Sequence, residues 1–199
     1  MRRRRLAALS ASLAFASGCI AYRGEYTHPA SWPPAPGASP KTISLVLTQT
    51  PGTYNGEEGG ISTEGWANLE AATRDAYLES ALFTEVRQPH EEADLRAELE
   101  VFAETEAFPH LGNVLLGIPL YGTIVPATST NVLHMHTTFK NPAGETLAEV
   151  ESVETTTVWA HMFLVLAMPF AGSPEKVGHE AIGDQSRYAI ATAHESGAF

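Results

Sequence analysis

The sequence predicts an α+β fold with a single, mostly antiparallel sheet of about five strands and two helices on one face. Two observations predict it. Several stretches alternate apolar and polar residues, as half-buried strands do, and two segments combine helical spacing with good N-cap residues. The predicted order along the chain is β-α-β-β-β-β-α. Residues 41–199 have a length suited to one compact domain.

The first strand and the first helix open this domain. The apolar residues of TISLVLTQT alternate with polar ones, which is typical of a strand with one buried face. The glycine-rich PGTYNGEEGG that follows is predicted as a loop, and its glycines match no phosphate-binding spacing. A helix then begins after Ser62 or Thr63, both good N-caps, and ends near Ser80.

Four strands and a closing helix follow. LFTEV predicts a short strand, and DLRAELEVFAETEAF is the clearest strand because Leu95 begins a regular alternation. NVLHMHTTF and LAEVESVETTTV form a pair joined by a turn that contains proline and glycine. Ser173 is a good N-cap followed by proline, which predicts a helix to about Glu195 with Gly197 just past its end.

Short turns between these strands predict their directions. A right-handed βαβ unit makes the Ile43 strand parallel to LFTEV. We expect the next strand, Asp94 to Ala107, to run the opposite way, and each later strand to reverse again. The two strands that precede the apolar runs described below then end together, at the end of the sheet where the Ile43 strand begins.

The N-terminus, residues 1–18, is predicted as a secretory signal peptide. Four arginines precede an apolar run from Leu6 to Ala16, and small residues then lead to Cys19. The stretch ASGC resembles the lipobox of bacterial lipoproteins. This resemblance implies that the Cys19 thiol receives a diacylglycerol, that the signal is cut before it and that the new amino terminus is acylated. Ile20, where inner-membrane lipoproteins carry aspartate, implies the outer membrane and its periplasmic face.

Residues 19–40 are predicted as the lipidated cysteine followed by a proline-rich tether. Residues 20–40 hold five of the thirteen prolines. In polyproline geometry such a segment reaches roughly 60 Å. The alternative is an ordered N-terminal arm, in which Trp32 and Tyr26 pack on the domain.

The chain is acidic, and removal of the signal makes it more so. It has 12 basic and 23 acidic residues, a net charge of −11. Without the four arginines of residues 1–18 it keeps 8 basic residues, so the net charge becomes −15. Because this charge repels phosphate groups, nucleic acid is not an expected partner, and membrane contact has to be apolar.

Two apolar runs stand out in this acidic chain, residues 111–126 and 158–170. Both contain proline, and each is too short to span a membrane as a helix. We expect them to contact the membrane or a partner protein. The alternative, of equal weight, is that they are buried strand ends and loop covers. The candidate contact residues are Leu115, Leu116, Ile118, Tyr121, Ile124, Trp159, Phe163, Leu164 and Leu166.

An alternative function rests on His134 and His136. At i and i+2 on a strand they share one face and could offer two imidazoles to zinc or copper. The third ligand would come from His161, Glu149 or Glu151. The competing interpretation, which the incomplete spacing favours, is two solvated histidines.

The mature domain also resembles a group of bacterial envelope lipoproteins. The resemblance rests on the helix end YLESALFTEV, a strand start ADL, a GIP run and a hairpin, and it spans residues 43–190. Similar domains are the TolB N-terminal domain and those of curli-secretion and transporter-auxiliary lipoproteins. We expect a structural or adaptor lipoprotein without catalysis or cofactor, whose partners are the bilayer and an envelope protein or further copies of itself. An envelope hydrolase is a more remote alternative, since no nucleophile motif is present.

Overall fold

The computed structural model describes residues 18–24, 27–35, 40–108, 126–167 and 171–199. In these ranges the chain forms eight strands and two α-helices, and a 3-10 helix at Met162–Leu166 follows the last strand. The elements are β1 Gly18–Arg23, β2 Lys41–Gln49, β3 Gly52–Tyr54, β4 Glu57–Gly59, α1 Thr63–Glu79, β5 Phe83–Arg87, β6 Leu95–Phe108, β7 Ala127–Lys140, β8 Thr146–His161 and α2 Pro174–Glu195.

The sheet is mixed and has eight strands in the described ranges. The prediction of about five mostly antiparallel strands is corrected in both number and direction. Its main path is β1-β8-β7-β6-β2-β5, and the β3-β4 hairpin pairs with β6. Strand β2 is parallel to β6 as well as to β5, whereas the prediction reversed β6. Val86 and Leu95 flank Ile43 at the same level on its two sides. The segment between them crosses β2 without returning along its length, and it carries the chain into a second parallel strand.

The predicted glycine-rich loop forms the β3-β4 hairpin. Asn55 and Gly56 have φ angles of 51° and 82°, both positive, as a tight two-residue hairpin turn requires. Gly52 fits closely against β6, because a Cβ there would lie 2.0 Å from the carbonyl oxygen of Ala103. The asparagine-glycine pair is the local sequence signal for this hairpin.

Both α-helices begin at the predicted caps. The side chain of Ser62 accepts a hydrogen bond from the backbone N–H of Gly65 at 3.1 Å, and Ser173 accepts one from Lys176 at 3.3 Å. Gly197 lies just past α2 with a φ of 81°. Neither helix is long and apolar enough to cross a membrane, within the part of the chain described.

The hydrophobic core lies between both helices and one face of the sheet, which confirms their predicted placement. Phe199 packs on Phe83 and Phe139, with ring centroids 5.6 and 5.2 Å apart. We call the end of the sheet where β2 and β8 begin the proximal end, the other end the distal end, and the uncovered face the open face. The large, fully buried apolar side chains of the strands lie in the proximal half and at the middle of the sheet: Ile43, Leu99, Val101, Met135 and Phe139.

Candidate membrane-facing end

The flanks of both apolar runs meet at the distal end. Strands β6 and β8 have the same direction, because each is antiparallel to β7 between them. Phe108, at the end of β6, lies opposite Thr128, which lies opposite Trp159 near the end of β8. The two runs therefore adjoin one end of the sheet, as predicted. That end is the opposite of the predicted one, since β6 is parallel to β2.

Cys19 lies at this same end. Strand β1 pairs antiparallel with β8, which places Cys19 opposite Ala160 and Ile20 opposite Trp159. The Cys19 side chain is half-buried and its thiol is free. The residue predicted to carry the lipid is thus part of a sheet edge next to the second apolar run. Residues 20–24, the predicted start of an extended tether, are part of the domain or follow directly on its edge strand.

A buried ion pair fastens β1 to the domain. Arg23 Nε donates to Glu154 Oε1 at 2.5 Å, and Arg23 Nη1 donates to Asp184 Oδ2 of α2 at 2.6 Å. Desolvation lowers the pKa of Arg23, but the hydrogen bonds and charges of the two carboxylates outweigh it and raise that pKa overall. The guanidinium therefore stays charged and bridges the edge strand to the helix.

Residues 27–35 also lie on the domain. The backbone N–H of Thr27 donates to the second oxygen of Glu154 at 3.2 Å. Trp32 packs against the core, and the guanidinium of Arg187 lies 5.9 Å from its ring centroid. Arg187 in turn bonds Glu79 of α1 at 2.7 Å. Of the two alternatives for this segment, the described residues follow the ordered arm; Tyr26 lies outside them.

Exposed apolar side chains collect at the distal end. Phe108 is 61% exposed, and in the 3-10 helix Phe163 and Leu166 are 70% and 77% exposed. Trp159 and Tyr22 are also exposed, and the indole Nε1 donates to the tyrosine hydroxyl at 3.2 Å. These five residues, which we call the distal apolar patch, combine aliphatic and aromatic contact area with two polar ring groups.

The predicted contact residues divide into two groups. Trp159, Phe163 and Leu166 belong to the distal apolar patch, and Leu164 is half-buried. The candidates in the first run lie outside the described residues: Leu115, Leu116, Ile118, Tyr121 and Ile124.

Three distal residues were missed by the sequence analysis. Phe108 closes the alternating strand on its exposed side, so the period of two could have placed it on the open face. Ile20 and Tyr22 share one face of β1, but the prolines that begin at Pro29 are typical of a tether and hide this short strand.

The proximal half of the open face is charged. Glu98 and Glu100 of β6 lie across β7 from Glu149 and Glu151 of β8. Lys140 offsets part of this charge, since its ammonium group lies 2.6 Å from Glu98. Two further exposed glutamates of β6, Glu104 and Glu106, continue on this face through the distal half up to Phe108, whereas the distal halves of β7 and β8 present no charged side chain on it.

The two candidate metal ligands lie on the open face between these regions. His134 stacks on Phe102 with centroids 4.3 Å apart and rings 6° from parallel, and His136 lies between Glu100 and Glu151. His161 cannot be the third ligand, because it lies ten residues beyond Glu151 along β8, or about 33 Å. Among the described residues no group of three acidic, histidine or cysteine side chains could hold a metal ion.

No family model and no curated protein matches this chain. Among solved structures it is similar to PelC dodecamers from Paraburkholderia phytofirmans in two crystal forms. The first has 11% identity and a TM-score of 0.40, and the match covers 87% of this chain and 97% of that chain. The second has 10% identity and a TM-score of 0.35, and the match covers 86% of this chain and 98% of that chain. It is also similar to a putative neuraminyllactose-binding hemagglutinin homolog from Helicobacter pylori, with 9% identity and a TM-score of 0.38. This match covers 87% of this chain and 92% of that chain. Similarities at this level do not identify a function.

Proposed function

We propose that the protein is an envelope lipoprotein with a structural or adaptor role, anchored at the outer membrane through acylated Cys19 and oriented with its distal end toward the bilayer. One observation carries this proposal. Cys19, the flanks of both apolar runs and the distal apolar patch all lie at the same end of the sheet.

The position of Cys19 in the edge strand sets the orientation of the domain relative to the membrane. Several acyl chains, at about 0.8 kcal/mol per buried CH2, anchor a protein stably where a single chain does not. Because Cys19 is part of an edge strand and Arg23 holds that strand, the anchor keeps the domain at the membrane surface. Trp159 and Tyr22 then lie at the depth that amphipathic aromatic rings prefer.

Charge favours the same orientation. The processed chain has a net charge of −15 and is repelled by anionic head groups, so an acidic surface facing the bilayer would be unfavourable. On β8, the neighbour of β1, the open-face glutamates Glu149 and Glu151 lie toward the proximal end, away from Cys19, whereas on β6 acidic residues continue to Glu106. The β1-β8 side of the distal end is therefore the side whose charge suits contact with the bilayer. The distal apolar patch contains no charged side chain.

An adaptor also needs a protein partner, and the proposal includes an envelope protein or further copies of this chain. Parts of the distal apolar patch that the bilayer leaves free would provide the contact surface. Nucleic acid and catalysis are not part of the proposal.

The test is metabolic labelling of the full-length chain with radioactive palmitate in a Gram-negative host, followed by membrane fractionation. The parent should carry label and sediment with the outer membrane. The Cys19→Ser variant should carry none and should remain at its unprocessed length. Equal labelling of both chains, or an unlabelled parent in the soluble fraction, would contradict the proposal.

A further inference from the structure

A cavity of about 500 Å³ lies under the helices in the distal half of the domain. Its floor is the helix-side face of the sheet, with Ala103, Leu133 and Val158, and its walls include Leu69 of α1 and Val177 of α2. The volume falls within the range of about 300–1,000 Å³ that is typical of small-molecule sites.

Small residues explain why this space is open. Toward the proximal end, large side chains such as Leu99 and Phe139 fill the space between sheet and helices. Around the cavity the floor carries Ala21 and Ala103, and α2 presents Gly178. Apart from the neighbouring backbone of α2 itself, no atom lies within 4 Å of the position that a Cβ at Gly178 would take. With alanine and glycine at these positions, the side chains leave space between the helices and the sheet.

Four of the five polar side chains in the described part of the cavity wall, all except Thr156, already have hydrogen-bond partners. Ser62 caps α1, and Thr105 Oγ1 donates to Asn131 Oδ1 at 2.8 Å. The carboxylate of Glu154 is held by Arg23 and by the backbone N–H of Thr27. A ligand therefore gains little from polar groups of its own, and the chemistry that suits the site is a plain hydrocarbon chain.

One end of the cavity lies close to Cys19. Ala21 lines it, and Cys19 lies two residues along β1 on the same face of the sheet, about 7 Å away. Ala160, the cross-strand neighbour of Cys19, has a small side chain, and the next residue of β8 on this face, Val158, also lines the cavity. A chain attached to the Cys19 sulfur therefore starts within about 7 Å of the cavity lining.

We propose that this cavity holds one acyl chain of the lipid on Cys19, while the remaining chains enter the bilayer. This inference rests on the proposed lipidation. The retained chain fixes the distal end against the membrane and fills space that the side chains leave empty.

The test of the site uses the processed chain, residues 19–199, with Cys19→Ser and a fluorescent sixteen-carbon fatty acid. The blocking variant is Gly178→Leu, and Gly178→Ala is its control, because both remove a helix-interior glycine but only leucine fills the cavity. The Cys19→Ser chain and its Gly178→Ala derivative should bind one probe saturably. Gly178→Leu should weaken binding at least tenfold. If the Cys19→Ser chain shows no saturable binding, or if Gly178→Leu binds the probe as tightly as that chain, the proposed acyl-chain site is wrong.

The test of the occupant compares hydrogen exchange in lipidated protein and in the Cys19→Ser chain, in the same detergent. The lipidated protein should exchange more slowly around Leu133 and in the first half of α2, and Gly178→Leu should abolish that difference. If the mass confirms the lipid but the lipidated protein and the Cys19→Ser chain exchange at the same rate, the acyl chain does not occupy the cavity. This result would contradict the inference and leave the proposed function in place. A mass that shows no lipid on Cys19 would overturn both the inference and the proposed function.

Discussion

The guanidinium of Arg23 and the carboxylate of Glu154 meet at 2.5 Å between the edge strand β1 and its neighbour β8, and the Glu154 side chain is 0% exposed. Arg23 is four residues from Cys19 on the same strand. A buried charge pair therefore decides where the proposed anchor residue lies relative to the domain.

Arg23→Ala should lower the free energy of unfolding by about 3–5 kcal/mol, because it leaves the buried Glu154 carboxylate without its cation. Urea denaturation of the processed chain with Cys19→Ser measures the change. Arg96→Ala is the matched control: the pair of Arg96 with Glu98 is largely exposed, and its loss should cost less than about 1 kcal/mol. Equal losses in the two variants would show that the Arg23 pair does not hold β1.

Tyr77→Phe should raise the free energy of unfolding by about 1 kcal/mol. Tyr77 is fully buried, and its hydroxyl has no hydrogen-bond partner within the described ranges. Burial raises its pKa, so the group stays neutral. Tyr77→Leu, which also removes the ring contacts with Phe83 and Phe139, should instead destabilise the chain by about 2 kcal/mol or more. A Tyr77→Phe variant less stable than the parent would mean that the hydroxyl has a partner.

Asp94→Asn should destabilise the protein near neutral pH and lose this effect in acid. Hydrogen bonds from the backbone N–H and the hydroxyl of Thr42, both at 2.8 Å, lower the pKa of Asp94 below its ordinary value of 3.8. The carboxylate thus contributes stability above the pKa of the unfolded chain, and the contribution disappears as pH falls through the lower folded pKa. Urea midpoints of parent and variant, compared from pH 6 downward, should converge below pH 3.8. A difference that stays constant with pH would contradict this assignment.

Both helices and the three long strands could be predicted from local signals. Ser62 and Ser173 cap the helices where the sequence indicates, and the alternation that begins at Leu95 places one face of β6 in the core. These features depend on residues close together in the sequence. Their period and their caps therefore carry enough information without the rest of the chain.

Strand direction and the edge strand depended on distant contacts. The Gln88 to Asp94 segment has the length of a reversing turn, but β6 pairs with β2 on the side away from β5 and so runs parallel to both. Strand β1 pairs with β8, and its Arg23 bonds Glu154, 131 residues later in the chain. No local pattern around Cys19 encodes that partner. The distal position of Cys19, and with it the candidate site, could only be found from the structure.

Flotation with neutral phospholipid vesicles tests the central claim, that the distal end faces the membrane, most directly. The processed Cys19→Ser chain is compared with two double variants. The first carries Phe163→Glu and Leu166→Glu in the distal apolar patch. The second carries Leu78→Glu and Leu147→Glu at exposed leucines away from that patch. All four sites are exposed, so thermal melting should show three folded proteins.

The parent should float because the distal apolar patch enters the bilayer interface, and the second variant should float with it. The first variant should stay in the soluble fraction, since two carboxylates then face the hydrocarbon boundary. A parent that remains soluble, or two variants that lose flotation to the same extent, would contradict a membrane-facing distal end.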